Sequence, residues 1–517
     1  MFKSKDSDQF QHKGIQLSTI RKQIDHFING FPYIRLIRPA IPGDGMLNFN
    51  EKEKAFFISH FEVFAPKIKV VKFVPASGAA SRMFKHIFEF REQCNNVAAA
   101  DDFLAKDHSF NSVDYFIKHV NQIAFFQDLS VQISNGGGSI DEILSKKEYG
   151  LLIDFLLTEQ GLDYAYLPKA LLKFHSYPAG ARTAAEEHMV EAAEYTRDQT
   201  QKARIHFTIS PEHKEKFLQM LEKVKGYYES TLHVHYEISF SIQKPSTDII
   251  AVDENNQPVR NQDGSLLFRP GGHGALLENL NELDADLIFI KNIDNIVPDR
   301  LKEKTFEYKK LLGGYLLYLK ERISTYLFKL KHQQVTVEEL VEIATFIDKI
   351  LFLAIPHDFS TYSDKAQKDC LFALMDRPIR VCGMVKNEGE PGGGPFWVMG
   401  DDDEPSLQIV EASQINMHSH DQKAIVGVST HFNPVDLVCS TKDFEGNAFD
   451  LNEFVDENTG FISLKSSGGK ILKAQELPGL WNGAMAKWIT IFVEVPIITF
   501  NPVKTVNDLL RKEHLPN

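Results

Sequence analysis

The sequence predicts an α/β protein with a mixed, mostly parallel sheet, helical insertions and a β-rich C-terminal part. Three observations predict it. A run of β-formers, Val70 to Val74, stops at a loop of small residues, Pro75, Ala76, Ser77, Gly78, Ala79, Ala80 and Ser81, and a helical pattern follows. Strand and helix signals alternate through the middle of the chain, the pattern of parallel βαβ units. From residue 379 onward, strand signals follow one another across short turns.

The elements follow in order. Residues 1–66 read as a helical region, with Ile20, Ile24, Phe27 and Ile28 on one helix face and loop signals at Pro39, Pro42, Gly43 and Gly45. Strand 68–74 and its loop come next. Residues 84–165 repeat apolar positions every three to four residues, broken by Gly136, Gly137 and Gly138, and read as a helical insertion. Strand 205–209, helix 212–228 and strand 232–242 follow, the last with Val234, Tyr236 and Ile238 alternating with His233 and His235. Strand 287–291 ends at Asn292, Ile293, Asp294 and Asn295, and a second helical insertion spans about 299–370. Later strands are expected at 379–385, 396–399, 407–411, 424–430 and 487–500, with 388–395 as a hairpin and Asp401 to Glu404 as a solvated acidic turn. The expected division is an N-terminal helical region 1–66, an α/β domain 67–440, and a β-rich region 441–517 that folds back onto it.

Composition bounds the function. The 517 residues are 43% hydrophobic and 25% charged, enough for a large core. A net charge of −13 argues against nucleic-acid binding through a basic surface. Cys94, Cys370, Cys382 and Cys439 show no C-x-x-C spacing, so they read as thiols in a reducing compartment. The polar N-terminus carries no leader-like apolar run, and the apolar stretch Trp488–Phe500 contains Glu494 and Pro496. A cytoplasmic protein without a membrane span is expected. Oligomeric state is not legible.

The residues that carry chemistry lie at strand ends. A strand followed by a small-residue loop and a helix offers backbone N–H groups to an anion, most often a phosphate. A plain βα turn has the same pattern. Asp294 at a strand end suits Mg²⁺ as a hard oxygen ligand, or caps a turn. Lys169, Arg82 and Lys504 are cations that can neutralise phosphate oxygens; a solvated lysine would look alike. His418, His420 and His431 form a second candidate metal set, for which an exposed loop is the plainer reading. No Walker A motif and no G-x-S-x-G elbow occurs.

Taken together, the phrases PASGAASRM (75–83), LPKALLKFH (167–175) and EEHMVEAA (186–193) resemble the signature of sugar nucleotidyltransferases with the GT-A-like α/β fold. Four further segments resemble the UDP-sugar pyrophosphorylase branch. They are Phe240 to Pro245 with Gln243, the loop Gly271, Gly272, His273 and Gly274, the strand end at Asp294, and Phe500 to Lys504. Thr430 to Pro434 is a weaker match. The chain as a whole resembles an uncharacterised bacterial family carrying the same motifs.

The resemblance implies uridylyl transfer from UTP to a sugar 1-phosphate with Mg²⁺ and release of pyrophosphate. It implies a nucleotide loop at 75–81, catalytic Lys169, Arg82 and Lys504, Gln243 and loop 271–274 near the base and sugar, and Asp294 on the metal. A GT-A glycosyltransferase and a silent nucleotide-sugar-binding protein are the alternatives. The chain departs from the family's Gly-x-Gly loop at Gly78, Ala79 and Ala80. If that position needs a positive φ, Ala costs on the order of 1 kcal/mol.

Overall fold

The computed structural model describes residues 2–94, 96–390, 392–400, 403–467 and 470–516. Asp401 and Asp402 of the acidic run, and Pro391 of segment 388–395, lie outside the described residues. The chain forms two compact units: residues 1–70, 241–290 and 310–497, and residues 71–240, 291–309 and 498–517. These units cut the chain at other places than 66/67 and 440/441, because both are assembled from distant segments.

The second unit carries the strands Val70–Pro75, Lys202–Ile209 and most of His235–Ile242, adjacent in that order. The first two run parallel, pairing Lys72 with Ile205 and Pro75 with Thr208. Strand 70–75 is buried until its last residue, because Val71, Phe73 and Val74 have apolar neighbours on both faces. Six helices between Lys85 and Leu157 form the expected insertion, and their apolar faces share one core with Val74, Ile205, Phe207 and Ile293. Val503, Val506, Leu509 and Leu510 of the C-terminal segment join that core. Helix Ala184–Tyr195 starts on a capping box: Thr183 Oγ1 accepts from Glu186 N–H, and Thr183 N–H donates to the Glu186 carboxylate.

In the first unit, strands 41–42, Gly45–Leu47, Ile489–Glu494, Ile379–Lys386, His431–Ser440 and Leu287–Lys291 lie side by side in that order, the last ending in the second unit. Strand 379–386 is parallel to 489–494 and antiparallel to 431–440. The α/β class with a mostly parallel mixed sheet and helical insertions therefore holds. No described helix is long and apolar enough to cross a membrane.

Several local expectations are corrected. Residues 424–430 are not a strand: helix His420–Gly427 occupies the region, with Ser419 as its N-cap. Segment 388–395 is not a hairpin, since strand Gly394–Met399 pairs with 36–39 and 405–410 rather than with 379–386. The strand expected over 487–500 ends at Glu494, where Pro496 removes a ladder donor. Strand 232–242 begins only at His235, because the preceding helix ends on His233 in the left-handed conformation, φ 54°. Region 1–66 is three helices plus short strands at 36–39, 41–42 and 45–47.

Candidate active site

All residues of this site belong to the second unit. Strand 70–75 delivers the loop 75–81. Ala76 is buried and its N–H donates to Thr208 O at 2.9 Å. Ala80 is buried in the core, and its N–H donates to Leu167 O at 3.0 Å. Between these anchors Gly78 and Ala79 are exposed, and their N–H groups make no hydrogen bond among the described residues. The loop therefore leaves an open pair of backbone donors at a strand end, the feature an anion needs. A short 3₁₀ turn, Ala80–Phe84, follows. Arg82 on it is exposed and makes no ion pair among the described residues.

The departure from Gly-x-Gly has a simple outcome. Neither Ala79 (φ −64°) nor Ala80 nor Gly78 has a positive φ, so alanine fits this turn without backbone strain.

Segment 167–171 lies directly against the loop. Lys169 N–H donates to Gly78 O at 3.3 Å, and Ala79 bridges to Pro168. Lys169 opens the 3₁₀ turn Lys169–Leu171. Its Nζ lies 2.9 Å from Asp294 Oδ2 and 2.7 Å from Val503 O. Lys504 Nζ lies 3.3 and 3.2 Å from the two oxygens of the same carboxylate. Asp294 is buried, Lys169 nearly so, and the Lys504 side chain is 55% exposed. Burial opposes ionisation of Asp294, but the two ammoniums outweigh it and hold its pKa below the ordinary value. The C-terminal segment reaches the site by backbone bonds: Val503 N–H donates to Asp294 O at 3.0 Å, and Asn501 N–H to Asn295 Oδ1 at 3.0 Å.

A loop with open donors thus lies beside two lysines sharing one buried carboxylate. The net local charge of Lys169, Lys504 and Asp294 is +1. Such a group can receive an anion, and the carboxylate can turn to a hard cation only where a lysine leaves it for that anion. No group of three His, Cys, Asp or Glu residues stands close enough to hold a metal among the described residues. The His418, His420, His431 set is one case: His418 and His420 are exposed, while the buried His431 ring faces Glu494 at 3.4 Å.

Gln243 and loop 271–274 belong to the first unit. Gln243 is half-buried, with Nε2 3.5 Å from Thr247 Oγ1. A Cβ on Gly271 would sit 2.6 Å from Thr247 O, and one on Gly274 2.1 Å from Pro478 O, so close packing alone requires glycine there. Gly272 has φ +75°. His273 stacks on Trp481 at 4.2 Å, and its Nδ1 accepts from Leu480 N–H at 3.0 Å.

Motif reading missed the polar residues buried behind the site. Glu191 on helix Ala184–Tyr195 accepts from Lys72 Nζ at 2.7 Å and Lys291 Nζ at 2.8 Å, all three fully buried. Burial of Lys72 brings its pKa down to about 7 against the attraction of Glu191. Glu187, on the same helix, receives Lys302 Nζ, Tyr177 OH at 2.7 Å and His175 Nδ1 at 2.9 Å; His175 Nε2 then meets His514 Nδ1 at 2.9 Å. The available signal was charge at i and i+4 inside an otherwise apolar helix.

The family described as "Domain of unknown function (DUF4301)" matches residues 3–515. No curated protein matches the chain. Among solved structures, a UDP-glucose pyrophosphorylase mutant from Leishmania major is 12% identical, covers 98% of this chain and 77% of its own, and has a TM-score of 0.45. A uridine diphosphate N-acetylglucosamine pyrophosphorylase from Trypanosoma brucei, in complex with inhibitor, is 11% identical over 95% and 74% of the two chains, with a TM-score of 0.47.

Proposed function

The chain belongs to the DUF4301 family, and we propose that it is a sugar-phosphate nucleotidyltransferase that moves uridylyl from UTP to a sugar 1-phosphate. The observation that carries this reading is the sharing of Asp294 by Lys169 and Lys504 beside the open donors of Gly78 and Ala79. The collinear order of the motifs supports it.

In this reaction an oxygen of the sugar phosphate attacks the α-phosphorus of UTP. The bond from that phosphorus to the bridging β-oxygen breaks, and pyrophosphate leaves with the electron pair. The nucleophile is already an anion, so no general base is needed. The task of the protein is charge neutralisation and in-line positioning. Lys169, held rigidly by Asp294 and Val503 O, places one cation. Lys504 and Arg82, both exposed, bring two more to the phosphate oxygens. The backbone of 77–79 cradles the nucleotide phosphates.

A divalent cation fits this donor set in one way. Asp294 supplies a single hard carboxylate, and Mg²⁺ commonly takes one or two carboxylates plus substrate phosphates. When bound, Mg²⁺ supplies further neutralisation of the phosphate charge.

Incubation with UTP, Mg²⁺ and a panel of sugar 1-phosphates tests the reading through pyrophosphate release. Release with wild type and none with Asp294→Ala supports it. Nucleotide-sugar consumption without pyrophosphate would instead indicate a glycosyltransferase, and binding without turnover a silent binder. Stabilisation by UTP over ATP in a thermal shift supports uridine, and equal stabilisation by all four nucleotides removes that part.

A further inference from the structure

His188 is fully buried in helix Ala184–Tyr195, and its Nε2 donates to Ile293 O at 3.2 Å, the carbonyl just before Asp294. A carbonyl can only accept, so the ring proton sits on Nε2. The other nitrogen, Nδ1, is buried with no hydrogen-bond partner. One buried imidazole therefore spends its only donor on one carbonyl of the strand end.

The backbone around Asp294 is clamped on both sides as a result. The peptide plane preceding Asp294 is held through Ile293 O by His188. The plane following it is held through Asp294 O by Val503 N–H at 3.0 Å. These two planes define the φ and ψ of Asp294, and with them the direction of its Cα–Cβ bond. The helix is itself anchored. Lys72 Nζ lies 3.2 Å from His188 O and 2.7 Å from Glu191, and Lys291 reaches Glu191 from the strand that leads to Asp294. His188, Glu191 and Tyr195, spaced i, i+3 and i+7, lie on one helix face. Tyr195 OH also reaches Glu191 at 3.3 Å.

We propose that His188 is a positioning residue: through Ile293 O it sets the orientation in which Asp294 meets Lys169 and Lys504. The proposal rests on the functional reading above for its catalytic meaning, but its geometric content stands apart from it.

The test compares His188→Gln with His188→Asn in the full-length protein. The Gln amide nitrogen reaches the position of Nε2 and can donate to Ile293 O; the Asn amide nitrogen reaches only the position of Nδ1. Both place an amide in the same buried volume, so a general packing loss affects them alike. Two readouts are taken: hydrogen exchange of amides 292–296, and affinity for pyrophosphate with Mn²⁺ as the probe.

We expect exchange at 292–296 to rise at least tenfold in the Asn variant and to stay within about twofold of wild type in the Gln variant. Exchange in strand 202–209 should stay unchanged in both. Pyrophosphate–Mn²⁺ affinity should fall about tenfold in Asn only. Equal exchange in the two variants, or a rise spread evenly over helix 184–195 and strand 202–209, overturns the proposal. If wild type binds no pyrophosphate, the nucleotidyltransferase reading fails, and the exchange comparison alone still decides whether His188 orients Asp294.

Discussion

Lys169 and Asp294 stand 125 residues apart in the chain and 2.9 Å apart in the fold. The ammonium of Lys169 has two fixed acceptors, the Asp294 carboxylate and Val503 O, so it has little freedom to swing. Lys504 differs. It touches the same carboxylate at 3.2 Å, but more than half of its side chain is exposed. One lysine is a fixed cation and the other is a movable one. That difference separates what each substitution should do.

Asp294→Ala should abolish Mg²⁺-dependent pyrophosphate release while leaving the fold intact. Among the described residues the carboxylate is the only acidic group paired with both lysines, and its loss leaves two like charges facing each other. The variant is checked by circular dichroism alongside the turnover assay. Retained turnover would separate Asp294 from the chemistry.

Lys169→Met should lower kcat by two to three powers of ten with little change in circular dichroism, since a preorganised charge at a developing anion is worth roughly 3–4 kcal/mol. Loss confined to KM would mean that Lys169 binds ground state and transition state equally.

The parts of this arrangement legible in the sequence were those fixed by strand ends. Strand 287–291 was bounded correctly because four apolar residues, Leu287 to Ile290, and Lys291 stop at Asn292, and this puts Asp294 just past a strand end. The loop 75–81 was legible for the same reason. The conformation of Ala79 and Ala80 was not, because nothing local distinguishes a loop with negative φ throughout from one that needs glycine. The buried polar residues were hidden by a general rule. Charged residues on a helix normally face water, whereas Glu187 and Glu191 are fully buried, each satisfied by cations from segments a hundred or more residues away in sequence. Strands 173–177 and 180–183 escaped notice because each is short, and 180–183 has no apolar alternation.

Glu191→Leu should be among the most destabilising single substitutions in the second unit. It leaves the ammoniums of Lys72 and Lys291 buried without their carboxylate, a loss of about 3–5 kcal/mol in urea denaturation. Replacing Lys72, Glu191 and Lys291 together with Met, Leu and Met should cost less than the single change, because no unpaired charge is left among the three. A triple variant weaker than the single one would show that the pairing itself supplies net stability.

The His175–His514 pair should make stability fall in mild acid. Burial lowers the pKa of His175 and takes that of His514 well below its usual value. Both rings then take up a proton less readily in the folded chain than in the unfolded one, which protonates them below about pH 6.5. The unfolded state binds more protons in that window, so stability is complete above about pH 6.5 and is lost as pH falls toward the folded values. A ring that stays neutral while its unfolded counterpart is charged contributes a slope of at most about 1.4 kcal/mol per pH unit. Glu187, Lys302, Arg182, Asp299 and Tyr177 surround the pair; the pKa values of Glu187 and Asp299 are held below and those of Tyr177 and Arg182 above their ordinary ranges, so these four keep their charge between pH 5 and 7. His514→Asn keeps a donor at the position of Nδ1, toward His175, and removes one titrating ring. Urea denaturation from pH 7.5 to 5 should then show about one fewer proton taken up on unfolding. An unchanged slope would rule the pair out as the source.

Lys504→Ala separates a binding role from a structural one for the C-terminal segment. The segment is held without the Lys504 side chain: Val503 and Leu509 are buried, Asn507 Nδ2 donates to Phe110 O at 2.6 Å and Ser112 O at 2.9 Å, and Lys504 N–H donates to Asp508 at 2.8 Å. An exposed ion pair adds at most about 1 kcal/mol. The melting temperature should therefore move by no more than a few degrees. The same side chain is free to leave Asp294 for a phosphate, which Lys169 is not. Loss of its charge should weaken UTP or sugar-phosphate binding about tenfold or more, the usual scale of a charge-assisted contact to phosphate. Raised salt should narrow the gap between wild type and variant, since the lost contact is electrostatic and exposed. Equal affinity and equal turnover in the two proteins would make this segment a seal on the core and nothing more. A large fall in melting temperature with unchanged affinity would place the contribution of Lys504 in folding instead.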